Sequence, residues 1–459
     1  MSQVYDTVII GAGMSGLGAG IRLAMFDKKV CIIEKHSIPG GLNSWYKRGS
    51  RILDTGLHAM TNFAVKGDKR KPLGKLLKQL RIPYDDLELI EQSHSLIHYP
   101  QAQLRFSNNI EELSESVIDN FPDQSDGWNA LLKSIVEYDE LKLEYEKQSA
   151  REYLSKFLSD PLLCDMLLCP LLSYGSAWEN DMDFNQFVIM FKAVFLEGFS
   201  RPARGIKPLI DMLEQLFIKH GGEFIYRNGV EKIEVENKQA SRLLLKKGDV
   251  IECKQILSCA GYAETMSLCG EQIDKKPKTG ALSFTESIFY APHSEKTKGN
   301  DASIIFQNKT DRYAYRSPND YYDPQSALLS FPHNFSNIQM DEAIFRVTSL
   351  SNYDLWKNLD RKEYKAKKQE LEKMSFEVIK SFYPNLTMED ISYSDTFTPT
   401  TVEKYTSRIG GAIYGSPDKQ TDGKTEVENL FLCGTDQGFL GITGAILSGI
   451  TIANLYSLK

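Results

Sequence analysis

Residues Val8 to Glu34, VIIGAGMSGLGAGIRLAMFDKKVCIIE, run from an apolar stretch through a glycine turn and a helix-like segment to a second apolar stretch that ends in an acid. This order constrains the chain more than any other feature. Strand, glycine turn, helix and strand in so few residues form a βαβ unit of the kind that holds a dinucleotide. Gly11 permits the tight turn after the first strand, Gly13 lets the backbone approach a pyrophosphate, and Gly16 lets the helix pack close to the sheet. The anion then meets free N–H groups at a helix N-terminus. Glu34 closes the run Val30 to Ile33, where a carboxylate accepts hydrogen bonds from a ribose 2′-hydroxyl, and Gly18 and Gly20 add further small residues to the helix.

The chain has 459 residues, more than one ordinary core accommodates, so two domains are expected, one interrupted by the other. Its net charge of −7 argues against a nucleic-acid partner, since affinity there comes mainly from neutralised phosphates. Seven cysteines without a CxxC or a Cys/His cluster predict reduced thiols, no metal site and a cytoplasmic location. Gln437 to Leu458 carries no charge and is long enough to imitate a membrane span. Gly438, Gly441, Gly444 and Gly449, with Thr443, Ser448, Thr451 and Asn454, instead suit a glycine turn feeding a buried helix.

Ala64 to Arg81 holds seven basic residues (Lys66, Lys69, Arg70, Lys71, Lys75, Lys78 and Arg81) and leucines at helical spacing. It reads either as a solvated helix face or as a contact with an anionic membrane surface. From Glu111 to about Ser200 the pattern is helical, with turn signals at Pro122, Pro161 and Pro170, and its Leu154 to Leu172 run suits an apolar cavity or an ordinary core. Gly205 to Gly222 reads as a helix between glycines, followed by short β elements up to Ala260. Alternating runs from Ala281 to Ser349 predict a mixed or antiparallel sheet, Asp360 to Phe382 a charged helix, and Leu430 to Tyr456 a strand, glycine turn and helix.

Glycines and one acid do not separate NAD from FAD, so the choice rests on remote segments. These are Pro39-Gly40-Gly41, Gly221-Gly222 followed by Val230 and Ile233, and LFLCGTDQGFLGITGAILSGI near the C-terminus. Together they resemble the FAD-binding segments of the flavin amine oxidase and phytoene desaturase superfamily over essentially the whole chain. LDTGLHAM at Leu53 to Met60, the segments from Ala203 and Thr398, and CGTDQGFLGITGAI at Cys433 to Ile446 resemble the branch of carotenoid isomerases and retinol saturases. The resemblance implies an α/β fold: a Rossmann-like FAD-binding domain of GR2 type with an inserted α+β substrate domain. The FAD-binding domain is expected at 1–85, 200–272 and 425–459. The substrate domain is expected at 86–199 and 273–424, its helical part at 111–199 and its mixed sheet at 273–424.

The resemblance further implies non-covalent FAD held by Gly11, Gly13, Met14, Ser15, Gly16, Glu34, Lys35, Gly40, Gly41, Leu42, Asn43, Val230, Gly434, Thr435, Asp436, Gly441, Ile442 and Thr443. Asp436 and Gln437 would lie near the ribityl and pyrophosphate groups. Leu42 and Asn43 stand where many relatives carry Arg or Lys, which leaves a pyrophosphate charge contact absent or supplied from elsewhere, such as Lys47 or Arg48.

The implied reaction is hydride transfer between FAD and the carbon–carbon double bonds of an apolar polyene or isoprenoid lipid, as desaturation, saturation or isomerisation. His58 is the first candidate for a catalytic polar group, with Tyr174 and Tyr414 behind it and Trp45, Phe397 and Phe439 as walls of an apolar slot. No second GxGxxG unit is visible, which leaves quinone, oxygen or a transient donor as electron partner. The alternatives are an amine or porphyrinogen oxidase on the same fold and a non-catalytic lipid escort.

Overall fold

The computed structural model describes residues 4–140, 146–274 and 276–458. Residues 1–3 and 459 of the expected FAD-binding domain, residues 141–145 of the expected helical part and residue 275 lie outside the described residues.

The sequence VYDTVII forms the strand β1 (Val4–Ile10), MSGLGAGIRLA the helix α1 (Met14–Ala24) and VCIIE the strand β2 (Val30–Glu34). The last four residues of β1 and all of β2 are buried, as expected of strands covered on both faces. Around them runs a parallel sheet in the order Glu223–Tyr226, β2, β1, Val250–Ser258, Leu430–Leu432. An antiparallel pair, Val230–Glu236 and Gln239–Leu245, attaches to the beginning of the Val250–Ser258 strand. Register aligns Ile10 with Ile33 and Ser258, and Ser258 with Leu432. Gly11, Glu34 and Gly434 therefore project from one carboxyl edge, where parallel sheets bind their ligands.

A second seven-stranded sheet runs Tyr393–Phe397, Ser283–Pro292, Glu342–Ser351, Ser326–Ser330, Ile304–Asn308, Ser95–His98, Gln103–Phe106. All neighbours are antiparallel except Ile304–Asn308 with Ser95–His98. Phe284, Phe306, Leu328 and Leu350 pack toward the helical segment, whereas Phe289, Ile305, Phe345 and Val347 pack against Phe376 and Ile379 of the charged helix Arg361–Lys380. Sheet and helices thus make the layers that bury one another.

The helical stretch is broken into Ile110–Asn120, Ser125–Glu137, Ala150–Leu154, Pro161–Gly175 and Phe184–Phe191. Pro161 opens its helix, but Pro170 lies inside it and marks no turn; that helix is apolar and buried on almost every side, so tertiary packing overrides the local signal. Leu163, Leu167, Leu168, Leu171 and Leu172 are fully buried core residues. The tail folds as the strand Leu430–Leu432 and the helix Gly441–Ile452. Among the described residues no helix is long and apolar enough to cross a membrane.

The C-terminal helix lies directly on α1. A Cβ on Gly449 would sit 1.9 Å from the Ser15 carbonyl oxygen, and one on Gly18 would sit 2.6 Å from that of Ile446. Only glycine allows the two backbones this approach, which sets Gly449 against the first turn of α1.

Candidate functional site: a dinucleotide cradle and a buried charge cluster

Gly11, at φ +94°, turns the chain after β1 and donates its N–H to the Ile33 carbonyl at 2.9 Å. A Cβ on Gly16 would meet the Gly11 carbonyl oxygen at 2.1 Å, so Gly16 is required by the turn itself. Gly13 differs. Its backbone is ordinary (φ −69°, ψ 176°), and a Cβ there would meet nothing within 4 Å. It begins α1 without any side-chain cap, and the first turn holds no acid. Free N–H groups, open space and no local negative charge suit a phosphate.

The Gly40 N–H reaches the Ala12 carbonyl at 2.8 Å, and Gly13 and Gly40 form an isolated parallel bridge. The Glu34 carboxylate accepts Ala12 N–H through Oε2 and His36 N–H through Oε1, each at 2.8 Å. These bonds fix its direction, and each oxygen keeps a second lone pair for a ribose hydroxyl. Val230 starts a strand next to Asn228, whose N–H approaches the Glu34 carbonyl at 3.4 Å. The Lys35 ammonium is occupied by the Lys404 carbonyl at 3.0 Å and the Ser407 hydroxyl at 2.5 Å.

On the other side of α1, a Cβ on Gly434 would lie 2.8 Å from the Ser15 hydroxyl. Asp436 is buried, and its carboxylate accepts from the Tyr262 N–H at 2.6 Å, the Ser416 N–H at 2.9 Å, Lys419 at 3.1 Å and Arg408 at 3.3 Å. Burial pushes its pKa up, and the Lys419 and Arg408 cations with the Tyr262 N–H bring it below the usual carboxylate value. With four donors in place, Asp436 holds together the elements around the cradle. Gln437 is likewise engaged, donating to the Thr421 carbonyl at 3.1 Å and accepting from the Ser448 hydroxyl.

The third wall is the segment 54–61. Thr55 bonds the carbonyls of Leu42 and Ser44, each at 2.8 Å, and a Cβ on Gly56 would lie 2.5 Å from the Leu42 carbonyl oxygen. The Thr443 hydroxyl reaches the Thr61 carbonyl at 3.4 Å, and Gly441 (φ +68°) has room only for its hydrogen beside the Thr61 hydroxyl. Segments 11–16, 40–44, 54–61 and 434–443 therefore meet, with Ile442 and Thr443 in the uncapped first turn of the C-terminal helix. Helix N-termini, a glycine at position 13 without a packing role and an oriented acid together fit FAD.

A charge cluster lies behind segment 54–61 that sequence reasoning missed. Arg346 pairs with Glu286, both about 98 % buried, and its remaining N–H groups hold the carbonyls of Leu57 (2.5 Å), Thr55 (2.8 Å) and Asp54 (3.2 Å). Arg201 pairs with Asp54 and donates to the same Leu57 carbonyl at 3.0 Å. The signal lay in strand pattern: Glu286 is the only charged residue from Ser283 to Pro292 and Arg346 the only one from Ala343 to Ser351, both buried, where a charge needs a partner.

His58 follows. Its Nε2 lies 3.3 Å from the Thr348 hydroxyl and 3.7 Å from Glu286, while its buried Nδ1 has no partner. Burial, reinforced by the Arg346 and Arg201 cations, holds its pKa well below 6.5, so the imidazole is neutral. Burial also pushes Glu286 up, against the pull of Arg346. A small void of about 10 Å³ beside Thr348 is walled by Phe284, Phe306, Leu328, Cys169 and Ser173, and none of its lining residues is charged.

Of the weaker candidates, Tyr174 is half-buried, with its buried hydroxyl unpartnered and its ring stacked on Phe199 at 5.2 Å. The Tyr414 hydroxyl is used by the Ser173 carbonyl. Trp45 lies under Lys207, 4.8 Å from its ring, with a buried unpartnered indole N–H. Phe397 is half-buried in the edge strand of the second sheet, and Phe439 lines a separate cleft near Trp178.

Comparison with known proteins agrees with this geometry. The family model described as flavin containing amine oxidoreductase matches residues 14–455. A prolycopene isomerase of Daucus carota is 25% identical over 504 residues, covering 99% of this chain and 80% of its own. An all-trans-retinol 13,14-reductase of Danio rerio is 22% identical, covering 98% of this chain and 85% of its own. A crystal structure of an oxidoreductase from Methanosarcina mazei superposes with a TM-score of 0.66 at 16% identity, over 98% of this chain and 99% of that one.

Proposed function

The chain belongs to the flavin-containing amine oxidoreductases, and on that premise we propose that it is an FAD-dependent enzyme acting on carbon–carbon double bonds of an apolar polyene or isoprenoid lipid. FAD, when bound, supplies hydride exchange with the substrate; the protein supplies position and dryness. The observation that carries this reading is the uncharged lining of the void between the second sheet and the helix Pro161–Gly175. Phe284, Phe306, Leu328 and Leu350 stand there beside neutral polar groups such as Ser173, Gln307, Tyr313 and Ser349, and Thr348 links it to His58. A hydrocarbon chain asks for such a wall, whereas an amine would ask for a carboxylate or an aromatic cage facing it. The names of the carotenoid and retinoid relatives point the same way.

The residues divide the work. Gly11, Gly13, Met14, Ser15 and Gly16 would receive the pyrophosphate and Glu34 the adenosine ribose, with Gly40 to Asn43 and Gly441 to Thr443 beside the ring system. His58, in segment 54–61, retains an unused proton acceptor. With Glu286 and Thr348 at Nε2, the proton sits on Nε2 and Nδ1 keeps a free lone pair. The flavin is held without a covalent bond, and quinone, oxygen or a transient donor exchanges electrons with it.

The basic segment is proposed to touch an anionic membrane surface. The helix Pro72–Leu80 buries Leu73, Leu76, Leu77 and Leu80 in the protein, so contact would be by charge: Lys69, Arg70, Lys75, Lys78 and Arg81 remain exposed.

Anaerobic incubation of the purified flavoprotein with carotenoid and retinoid polyenes, and separately with amines, tests the function. A polyene should change its number or geometry of double bonds on chromatography. Flavin bleaching by amines with every polyene returned intact would overturn the proposal.

A further inference from the structure

The seven cysteines are all free thiols, and two of them stand side by side under the first turn of α1. The strand Val250–Ser258 runs parallel to Leu430–Leu432 with Ser258 opposite Leu432, and Cys433, still extended (φ −124°, ψ 158°), donates its N–H to the Ser258 carbonyl at 2.9 Å. Cys259 and Cys433 are therefore the next matched pair of that ladder, and both pack with Leu257 and Phe431 on the face toward α1. Matched positions on neighbouring strands lie about 4.8 Å apart, inside the roughly 4.4–6.8 Å over which two Cα atoms can carry a disulfide. Cys433 is buried, whereas Cys259 is half-buried and flanks the glycine turn. Its N–H goes to the Ile10 carbonyl at 2.9 Å, and a Cβ on Gly11 would lie 3.7 Å from its own Cβ. A hydrogen bond from Cys433, joined by one from Ser15 and by the Arg408 cation, holds the Cys259 thiol below its usual value of 9 against burial, while burial pushes Cys433 well above it. Burial pushes the other five thiols, Cys31, Cys164, Cys169, Cys253 and Cys269, up to about 11 or 12.

We propose that Cys259 and Cys433 are a redox-active pair that hydrogen peroxide closes to a disulfide when the cradle is empty of FAD. The inference rests on the flavin reading of the cradle and adds a modification site to it. Gly11, Ser15 and Gly434 border the pair, and a Cβ on Gly434 would lie 2.8 Å from the Ser15 hydroxyl. These are residues assigned above to the cofactor, so bound FAD stands between the sulfurs and the solvent. The two thiols divide the work by their surroundings. Cys259, half-exposed and the readier to ionise, attacks one peroxide oxygen; the O–O bond breaks, and the departing hydroxide takes up the Cys259 proton as water. The Cys433 sulfur then attacks the sulfur of the resulting sulfenic acid, the S–O bond breaks, and a second water leaves with the Cys433 proton. Two thiols lose two electrons, and one hydrogen peroxide becomes two water molecules.

The test treats the full-length chain with hydrogen peroxide, with FAD bound and after its removal, then blocks remaining thiols with iodoacetamide and sequences the tryptic peptides by mass spectrometry. Cys259 and Cys269 share one tryptic peptide, so fragmentation assigns the bridge between them. The empty chain should yield a Cys259–Cys433 bridge that dithiothreitol reverses, with the other five cysteines alkylated. With free FAD at about ten times its dissociation constant only about a tenth of the chain is empty, so the bridge should form about tenfold more slowly. Cys433→Ala in the empty chain should leave Cys259 as a sulfenic acid that dimedone captures. Bridging at an equal rate with FAD bound, a bridge to any other cysteine, or sulfinic acid at Cys259 with Cys433 untouched overturns the inference and leaves the flavin reading standing. A chain that takes up no FAD overturns the flavin reading, and this inference with it.

Discussion

Gly13 and Gly16 stand three residues apart in the same turn, yet they should fail in opposite ways when replaced. At Gly13 a side chain meets open space and a backbone any residue adopts, so Gly13→Val disturbs little in the folded protein. Losing glycine as an N-cap costs at most about 1 kcal/mol, offset in part by the about 0.4–1 kcal/mol that a stiffer unfolded chain returns. Stability without flavin should therefore stay within about 1 kcal/mol of wild type. The same isopropyl group would stand where a pyrophosphate meets the first N–H groups of α1. Loss of two charge-assisted hydrogen bonds, at about 1.5–3 kcal/mol each, removes about 3 kcal/mol or more, at least a hundredfold in affinity. Gly16→Ala instead drives a methyl group to 2.1 Å from the Gly11 carbonyl oxygen and should destabilise the protein by about 3 kcal/mol even without flavin. The assay pairs the ratio of flavin to protein absorbance after gel filtration with urea unfolding of the flavin-free forms. A Gly13→Val protein that retains one flavin per chain refutes the cradle, and one that unfolds like Gly16→Ala refutes the claim that only a ligand requires glycine there.

Arg346→Met should destabilise by about 3–5 kcal/mol in urea unfolding, because it strands Glu286 as a buried unpaired acid and releases three backbone carbonyls; Arg346→Lys should recover little, since a single ammonium cannot span them. His333 is pushed by burial down to about 4 from 6.5. Its depressed folded pKa means that stability is full above pH 6.5 and falls as the pH drops toward 4, by up to about 3 kcal/mol; His333→Asn should flatten that limb in unfolding measured at pH 7 and pH 5. Reversing Lys69, Arg70 and Lys71 to Glu should release the protein from anionic liposomes in a flotation assay, and an unchanged bound fraction removes the membrane contact.

The dinucleotide unit was legible because its signals are local: the apolar runs, the glycines and Glu34 lie within one βαβ segment and mean the same thing before and after folding. The strand and helix at Leu430–Leu432 and Gly441–Ile452 were legible for the same reason. What escaped was assembled across distance. Ser95–His98 and Gln103–Phe106 join the second sheet through Ile304–Asn308, about two hundred residues away, and four-residue strands carry too little periodicity to announce such a partner. The partners of the Asp436 carboxylate, Tyr262, Ser416, Arg408 and Lys419, are none of them its neighbours in sequence. The Lys35 ammonium likewise finds Lys404 and Ser407, far along the chain. His58 could be suspected from its place after Asp54-Thr55-Gly56, but its charge state depends on burial and on Arg346 and Arg201, which arrive from two other elements.

Burial sets that charge state, and a count of charges agrees with it. Arg346 and Arg201 bring two buried cations to segment 54–58, and Glu286 and Asp54 bring two anions. The cluster is neutral only while His58 is neutral, and a third cation would be stranded in a medium that screens it poorly. The Leu57 carbonyl, taking hydrogen bonds from both arginines, is the point where the sheet of the expected substrate domain grips the segment that closes the cradle. Burial, reinforced by the same two arginines that hold the backbone of segment 54–58, keeps the proton off His58 Nδ1, so the free lone pair proposed for chemistry and the rigidity of that segment share one arrangement.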